Sequence, residues 1–377
     1  MTLHDLPTPA VLVEQPRVLA NIDRMQEAAD RRGIRMRPHA KTHKSTVVAR
    51  WQIDRGAIGI CCAKLGEAEA FASAGFTDIR LPYPIHPLNA PRVMALLART
   101  RLSFIVDHPD VARGWSDAMT RAGRTVDVLI KIDVGFHRCG IDPDPRLAVP
   151  FITTVAALPG LNLKGLLSHA GQAYHASSEA DLQSIAEAEA GTLRSLASLA
   201  REHGVQIDEL SAGATPTARF SLQQDGLTEY RAGNYVYFDR TQVGLRAAAL
   251  SACALTVLAT VVSKPSADRI ILDCGSKALA ADGARGFSPL PGHGTILREL
   301  AMTAASQADD TLFVERLSEE HATVRVTSGR TALEPGQRVR VVPNHSCVVS
   351  NLVDEAWLSD GDQVLGPMPI PARGKIT

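Results

Sequence analysis

The sequence is poor in the features that mark several large classes of protein. Aromatic residues make up 5% of its 377 residues, and 40 basic residues balance 40 acidic ones, so the formal charge is zero. Proteins that bind nucleic acid or anionic membranes usually carry an excess of basic residues. The composition therefore favours a small-molecule substrate and gives no support to a nucleic-acid or membrane partner.

Cysteine and long apolar runs are also scarce. None of the six cysteines forms a C-x-x-C pair, and Cys61 and Cys62 are adjacent, so we expect free thiols, as in the cytoplasm, rather than a disulfide framework. The weakly polar run at 247–263 contains Ser and Thr and ends in β-branched residues, which favours a buried strand over a membrane span. The first residues do not follow the secretory signal pattern. We therefore expect a cytoplasmic protein without a transmembrane segment.

The periodicity up to about residue 240 predicts an α/β domain. A first amphipathic helix is indicated by apolar residues at steps of three and four, ended by a glycine: Val18, Ile22, Met25, Ala29 and Gly33. Eight strand-like runs then alternate with helical segments: RMRPHA, AIGIC, DIRLP, LSFIVD, TVDVLIKID, LKGLLSHA, IDELSAG and YVYFD. Eight such repeats predict a parallel (β/α)8 barrel of the TIM type over residues 10–240.

The remaining residues have a different texture. The segments LTVLATVVSK, RIILDCG, HATVRVTSG and QRVRVVP are rich in β-branched residues, separated by glycine and proline turns, and show little helical period. They predict a second, all-β domain over residues 241–377.

Lys41 is the first candidate for chemistry. In a (β/α)8 barrel the reacting groups lie at the carboxyl ends of the strands, and Pro38 marks such an end because it cannot donate to a sheet. Lys41 then lies at the barrel mouth and Lys44 near the next helix. A partly buried lysine beside a cation such as Arg37 has a lowered pKa and can form a Schiff base with a carbonyl. A solvated basic loop is the alternative; His39 and His43 receive no role.

Two glycine-bearing turns predict a phosphate site. SAGATPT (residues 211–217) and RAGNY (residues 231–235) follow successive predicted strands and offer small residues, backbone N–H groups and hydroxyls. Such turns can hold a phosphate late in a barrel, although each alone is also an ordinary turn. Together with Lys41 they make pyridoxal phosphate (PLP) the leading cofactor.

Three further residues have a functional and an ordinary interpretation. Arg138 follows the strand TVDVLIKID and could face the pyridine nitrogen of the cofactor, or form a salt bridge with Asp133. His345 and Cys347 are two residues apart after the alternating run RVRVV, which on an extended chain puts both on one face. Imidazole and thiolate suit Zn²⁺ and similar metals, but buried His and Cys are more often core residues.

The motifs PTPAVLVE, RPHAKTHKS, GICCAKLGEAEAF, KIDVGFHRCG, SAGATPTA, YRAGNYVYFD and PNHSC occur in this order. The chain thereby resembles, over nearly its whole length, the D-threonine aldolase and D-serine dehydratase family of PLP enzymes. The resemblance implies an alanine-racemase-like fold, a β domain that also takes in the N-terminal residues 1–9, and a head-to-tail homodimer with a shared active site.

The resemblance also implies roles for individual residues. Lys41 is the Schiff-base lysine, Arg138 the partner of the pyridine nitrogen, and His169 a contact of the cofactor ring. His345 and Cys347 become a pair of ligands for a divalent metal of the Zn, Mn or Mg type. The residues at the phosphate positions, with one beside them, are Gly213, Ala214, Thr215, Gly233, Asn234 and Tyr235.

The two branches of the family leave the reaction open. A histidine at the position of His175 is typical of the aldolases, in which it takes the proton of the β-hydroxyl, whereas a His-x-Cys metal pair is typical of the dehydratases. We expect a D-threonine-aldolase-type enzyme that releases glycine and an aldehyde. The alternative is a D-serine or D-threo-3-hydroxyaspartate dehydratase, and His175 has its own alternative as an exposed loop residue. A racemase would not need the metal pair, and a small PLP carrier would lack the β domain.

Overall fold

The computed structural model of the chain describes residues 1–303 and 305–377. They form two compact units. The parallel unit comprises Met25–Lys41, Gln52–Gly233 and Lys375–Thr377. The antiparallel unit comprises Met1–Arg24, Thr42–Trp51 and Asn234–Gly374. The two units alternate along the chain more often than predicted, because the sequence predicted a barrel over residues 10–240 and a β domain over residues 241–377 that also takes in residues 1–9.

The strands are, in chain order, β1 (Ala10–Glu14), β2 (Arg35–Met36), β3 (Ile60–Cys61), β4 (Asp78–Pro84), β5 (Arg101–Val106), β6 (Val126–Lys131), β7 (Leu161–Leu167), β8 (Glu209–Ala212), β9 (Glu229–Tyr230), β10 (Leu255–Ser266), β11 (Arg269–Leu272), β12 (Gly294–Leu297), β13 (Ala308–Leu317), β14 (Ala322–Val326), β15 (Arg338–Pro343), β16 (Glu355–Asp360) and β17 (Gln363–Pro369). The α-helices are α1 (Gln15–Asp30), α2 (Thr46–Asp54), α3 (Leu65–Ser73), α4 (Ala90–Leu97), α5 (Pro109–Arg121), α6 (Pro145–Ala156), α7 (Glu179–Glu202), α8 (Ala218–Ser221), α9 (Arg240–Gly244), α10 (Ser276–Leu279) and α11 (Ser346–Leu352). Short 3₁₀ helices lie at Leu3–Asp5, Ala40–Thr42, Pro87–Asn89, Gly171–His175, Asn234–Val236 and Leu250–Ala252.

The parallel unit is built on an eight-stranded parallel sheet with the order β2-β9-β8-β7-β6-β5-β4-β3. Its two end strands also meet, because the amide of Cys61 donates to the carbonyl of Pro38 (2.8 Å) and His39 forms a parallel bridge with Cys61. This arrangement is consistent with the predicted (β/α)8 barrel. In the described chain, no helix combines the length and the apolar character needed to cross a membrane.

One of the eight predicted strands is wrong. The sequence placed the last strand at YVYFD, but β9 lies earlier, and the YVYFD segment begins with the 3₁₀ helix Asn234–Val236. The carbonyl of Asn234 accepts the amides of Tyr237 and Phe238, which closes a turn that an extended strand could not make. The aromatic and β-branched residues of this segment suggested a strand. They are buried, but in a tight turn, and residue type alone does not distinguish the two structures.

Charged side chains rather than only apolar ones fill part of the space enclosed by the parallel sheet. Glu229 on β9 accepts hydrogen bonds from Arg37 (2.7 Å) and Arg80, and Arg80 also binds Glu209 (2.7 Å). β4 and β9 are not neighbours in the sheet order, so the Arg80–Glu229 pair crosses the interior. Burial works against the charged form of Glu229, but the two arginines outweigh it and lower the pKa to about 2.

The antiparallel unit contains a nine-stranded sheet in the order β11-β14-β13-β12-β15-β10-β1-β16-β17. Because β11 also pairs with β10, six of these strands close into a ring. β1 lies in this sheet, antiparallel to β10 and parallel to β16, although the sequence assigned residues from 10 onward to the barrel. The apolar side chains of Leu3, Leu6 and Leu12 pack there with Leu258.

Candidate active site

Lys41 is the more accessible of the two lysines in the RPHAKTHKS segment. It lies in the 3₁₀ turn Ala40–Thr42, after β2, with an exposed side chain. Lys44 is 6% exposed and its Nζ donates to Oδ1 of Asn351 (2.7 Å). The buried ammonium of Lys44 is therefore engaged in a structural contact, whereas the side chain of Lys41 reaches solvent.

The predicted influence of Arg37 on the pKa of Lys41 stays a prediction. Arg37 is buried and pairs with two carboxylates, Glu229 and Asp78, so its positive charge is compensated inside the sheet. The sequence could not show this, because both partners are distant along the chain. In the cluster around Lys41, further positive charges come from β6 and the loop after it.

His169 lies among those cations. Its Nδ1 is 2.7 Å from the carbonyl oxygen of Gly213, so Nδ1 donates and the neutral ring keeps Nε2 as an acceptor. Burial, followed by the positive charges of Lys41 and Lys131, lowers the pKa of His169 well below its ordinary value. Lys41 and His169, both predicted site residues, are thus close enough to interact electrostatically.

Lys131 belongs to this cluster but was not predicted from the sequence. It is the last residue of β6 and is 3% exposed. Burial, and then the charge of Arg231, lowers its pKa to about 7. A lysine at the carboxyl end of a buried parallel strand was a usable signal, because strand ends carry the chemistry in such folds.

The two predicted phosphate turns lie side by side. The amide of Arg231 donates to the carbonyl of Ala212 (2.9 Å), and a Cβ on Gly213 would lie 2.8–3.0 Å from backbone atoms of Arg231, so only glycine allows this approach. Among residues 1–303 and 305–377, the buried backbone N–H groups of Gly213, Thr215 and Gly233 donate no hydrogen bond. Buried N–H groups are almost always paired, so these donors fit an anion such as a phosphate.

Arg138 is exposed and stacks over the ring of Phe136 at 5.2 Å. The alternative salt bridge with Asp133 does not form in the described structure. Asp133 instead accepts backbone amides of residues 135–137 and faces Nδ1 of His137 (3.0 Å). Phe136 also packs edge-on against His169, with ring centroids 6.0 Å apart, so it links the loop of Arg138 to the cluster.

Arg231, like Arg138, lies near His169, but the sequence assigned it no role beyond its place in the turn RAGNY. It is 5% exposed, its Nε donates to Oγ of Ser211 (2.6 Å), and its Nη2 donates to the carbonyl of Ser168. These contacts hold the guanidinium in one orientation. Arg231 is thus a buried guanidinium in a fixed orientation, whereas Arg138 is an exposed one.

His175 ends the 3₁₀ helix Gly171–His175, and its side chain is exposed. The helix begins two residues after His169. It is attached to the loop of Arg138, because Nε2 of Gln172 donates to the carbonyl of Val134 (2.6 Å). His175 is thus an accessible imidazole on a segment that is anchored to both His169 and the Arg138 loop.

His345 and Cys347 are brought together in the antiparallel unit, but not on an extended strand as predicted. α11 begins at Ser346, so Cys347 lies in its first turn and His345 immediately precedes it. Burial lowers the pKa of His345, but the hydrogen bond to Cys347 and the negative charges of Cys347, Asp239 and Asp282 together outweigh burial and raise that pKa to about 9. Burial raises the pKa of Cys347, yet His345 outweighs it and lowers the value overall. Each side chain thus shifts the pKa of the other in the direction that favours a thiolate and an imidazolium.

The surroundings of this pair supply further polar atoms. Oγ1 of Thr42 lies 3.2 Å from the Cys347 sulfur, and Oδ2 of Asp282 lies 3.4 Å from Nδ1 of His345. In the described part of the chain, no group of three or more His, Cys, Asp or Glu side chains is arranged to hold a metal ion. The assignment of His345 and Cys347 as metal ligands therefore stays a prediction.

These features together define a class of protein. A parallel α/β unit with a strand-end lysine and two anion-accepting turns, combined with a β-rich unit, is the fold class of alanine racemase. A family model described as "Alanine racemase, N-terminal domain" matches residues 13–241, and one described as "Putative serine dehydratase domain" matches residues 254–358.

Similar proteins narrow the class further. The chain is 33% identical to a D-threonine aldolase from Arthrobacter sp over 99% of this chain and 94% of that protein. It is 34% identical to a D-threo-3-hydroxyaspartate dehydratase from Delftia sp. over 92% of each chain. The solved structure of that dehydratase superposes with a TM-score of 0.90, covering 98% of both chains at 31% identity.

The protein belongs to the D-threonine aldolase and D-serine dehydratase family of PLP-dependent lyases. Solved structures of D-threo-3-hydroxyaspartate dehydratase variants include one with a histidine replaced by alanine and one, in the metal-free form, with a cysteine replaced by alanine. Those two positions are two residues apart, the spacing of His345 and Cys347.

Proposed function

We propose that the protein is a PLP- and divalent-metal-dependent lyase that acts on β-hydroxy-D-amino acids. Its proposed reaction is the retro-aldol cleavage of D-threonine-like substrates to glycine and an aldehyde. The observation that carries this proposal is the exposed imidazole of His175 on a segment that also holds His169 beside Lys41. The sequence identity to the aldolase (33%) and to the dehydratase (34%) is nearly equal, so it favours neither reaction.

The residues of the parallel unit fit PLP, since a strand-end lysine accompanies unpaired buried N–H groups. When bound, PLP supplies an electron sink for the pair released at the substrate α-carbon. Lys41 would hold it covalently, and His169 would contact its ring. Arg138 would face the ring nitrogen, with Arg231 as a second candidate. The proposed phosphate-site residues are Gly213, Ala214, Thr215, Gly233, Asn234 and Tyr235.

The donor set of the antiparallel unit fits a divalent metal. Imidazole and thiolate suit Zn²⁺ and similar ions, and two protein ligands leave positions for water or substrate oxygen. Oδ1 of Asn234, a residue whose amide nitrogen lies 3.4 Å from the Cys347 sulfur, is buried and has no partner among the described residues. When bound, the metal supplies a Lewis acid for the β-hydroxyl oxygen.

His175 would take the proton of the β-hydroxyl as the Cα–Cβ bond breaks. Such a base must be accessible and within hydrogen-bond reach of the proton. The exposed ring meets the first condition, and its anchored segment restricts where the ring can move. The role of His175 distinguishes the retro-aldol reaction, because elimination requires removal of the α-proton instead.

A dehydratase is the second candidate, and the His-x-Cys spacing favours it. The pair of His345 and Cys347 has the spacing of the two positions substituted in the solved D-threo-3-hydroxyaspartate dehydratase variants. In this reaction Lys41 would remove the α-proton and the metal would assist departure of the hydroxyl group. A D-serine or D-threo-3-hydroxyaspartate dehydratase would release a 2-oxo acid and ammonia.

Incubation with D-threonine and D-serine distinguishes the two reactions. We expect D-threonine to give equal amounts of glycine and acetaldehyde, without ammonia, when the purified protein is supplied with PLP and Zn²⁺ or Mn²⁺. L-Threonine serves as the stereochemical control and should not react. Ammonia and a 2-oxo acid without glycine would establish the dehydratase and exclude the aldolase.

Replacing His175 with asparagine tests the proposed base. We expect the rate of D-threonine cleavage to fall by roughly 10²–10⁴-fold, the usual contribution of a general base, with unchanged visible absorption of the bound cofactor. His203→Asn is the matched control, because His203 is also an exposed histidine and lies at the end of α7. Equal activity of the two variants would show that His175 takes no proton.

Exhaustive chelation tests the metal. We expect the lyase activity to be lost on removal of divalent ions and restored by adding Zn²⁺ or Mn²⁺, because the hydroxyl oxygen loses its Lewis acid. Full lyase activity of the metal-free protein would contradict the proposed metal role, whereas racemisation of the substrate without cleavage, unaffected by chelation, would favour a racemase. We also propose that the protein is a cytoplasmic homodimer. Size-exclusion chromatography with light scattering would test the dimer by measuring the molar mass of the assembly.

A further inference from the structure

Asp239 is a buried carboxylate next to the His345–Cys347 pair. It is 1% exposed, and Oδ2 accepts the backbone amide of Ser346 (3.0 Å) and the Ser346 hydroxyl (3.2 Å). Its other oxygen, Oδ1, accepts the amide of Gln242 at the start of α9 (3.1 Å). One carboxylate therefore connects the start of α9 to the residue that separates the two proposed ligands.

The contact with Ser346 has a specific consequence for His345. The first N–H groups of a helix lack partners within the helix, and the residue before the helix commonly satisfies one with its own side chain. His345 occupies that position before α11 but makes no such bond. Asp239, from another part of the chain, accepts the first amide of α11 and thereby restrains the backbone that carries both His345 and Cys347.

Asn234 extends this arrangement to the sulfur. Its Nδ2 lies 2.7 Å from Oδ2 of Asp239, 3.1 Å from Oγ of Ser346 and 3.4 Å from Sγ of Cys347. An N–H group directed at a thiolate restrains its position and alters its strength as a donor. The carboxylate in turn orients the amide, since it accepts the shortest of the three contacts.

We propose that Asp239, acting with Asn234, is a positioning residue that holds His345 and Cys347 in the arrangement a divalent metal requires. The inference rests on the metal site of the proposed function and assigns a role to a residue that is not itself a ligand. Residues that orient metal ligands typically contribute 10–100-fold to metal affinity. Asp239 thus stabilises the backbone between the ligands, and Asn234 stabilises the sulfur.

Metal binding, measured apart from activity, tests the proposal. The full-length, PLP-loaded protein is stripped of metal and titrated with Co²⁺, and the sulfur-to-cobalt charge-transfer absorption reports the Cys347–metal bond. Competition with a chelator gives the Zn²⁺ affinity. We expect Asp239→Asn to bind Zn²⁺ roughly 10–100-fold more weakly than the wild type and to show a weakened or shifted cobalt band.

The matched control is Asp273→Asn. Asp273 is a partly buried carboxylate of the antiparallel unit that, like Asp239, accepts both a hydroxyl and a backbone amide, from Thr8 (2.6 Å) and Thr260 (2.8 Å). This variant should keep the wild-type metal affinity even if it is less stable. If Asp239→Asn does not fold, Asn234→Ala decides, because it keeps the carboxylate and should still shift the cobalt band and weaken Zn²⁺ binding.

Two results would overturn the inference, and only the second would also overturn the proposed function. Wild-type affinity and an unshifted band in Asp239→Asn, or in Asn234→Ala where that variant decides, would show that these residues do not position the pair. Absence of a sulfur-to-cobalt band in the wild type would show that Cys347 binds no metal, which would remove the metal from the proposed function as well.

Discussion

Replacement of Lys41 by alanine is expected to abolish both the visible absorption of lysine-bound PLP and the lyase activity. Lys41 follows β2, its side chain is exposed, and its charge acts on His169, the residue bonded to the carbonyl of Gly213. A lysine that bonds covalently to the cofactor cannot be replaced by another side chain of the site. Turnover should therefore fall by roughly 10³-fold or more.

Lys44→Ala is the control for this prediction. Its ammonium group donates to Asn351, so its loss should reduce stability by about 1–3 kcal/mol while the absorption spectrum of the cofactor is retained. Absorption spectra after reconstitution with PLP, and mass spectrometry after borohydride reduction, identify the modified lysine. If the cofactor absorption persists in Lys41→Ala and disappears in Lys44→Ala, Lys44 and not Lys41 binds the cofactor.

The second large effect is expected from Glu229→Gln inside the parallel unit. Glu229 is fully buried and binds both Arg37 and Arg80. Removing one member of a buried ion-pair network leaves uncompensated charges, which typically costs 3–5 kcal/mol. We expect the free energy of unfolding, measured by denaturant titration at pH 7, to decrease by about that amount.

The same substitution should change the pH dependence of stability. The pKa of Glu229 is lowered from an ordinary value of 4.5 to about 2, so the folded state binds its proton less readily than the unfolded state. This contribution is fully present above pH 4.5 and is lost as the pH falls through 2. It amounts to about 3 kcal/mol, and the variant should lack this part of the acid sensitivity.

Glu27→Gln provides the comparison for Glu229→Gln. Glu27 makes an exposed pair with Arg31 at 3.9 Å, and such surface pairs contribute about 0–1 kcal/mol. The same chemical change should therefore leave stability nearly unaltered at every pH. If the two variants lose equal amounts of stability, the buried network does not contribute as its geometry indicates.

Much of the fold was predictable because its signals are local. The spacing of Val18, Ile22 and Ala29 predicted α1, and all three side chains are buried. Seven of the eight predicted parallel strands overlap observed ones, since short β-branched runs between helical segments have few other structures. β1 was assigned to the wrong sheet because its partners, β10 and β16, are distant along the chain.

The site was predictable in part for a related reason. The carboxyl ends of parallel strands lie at one edge, so Lys41 and His169 could be expected to meet without knowledge of distant contacts. Arg37 illustrates the limit, because its orientation depends on Glu229, nearly 200 residues later. Asp239 was missed for the same reason: its significance comes from accepting the amide of Ser346, a contact with no local signal.

The position of β1 also determines when the protein can finish folding during synthesis. Leu12 on β1 lies opposite Trp357 on β16, about 345 residues later. At 5–20 residues per second, a ribosome needs roughly 20–70 s to produce that partner after β1 has been made. The apolar β1 must remain unpaired on its β16 side during this interval. Nascent chains are therefore expected to depend on chaperones longest at their earliest strand.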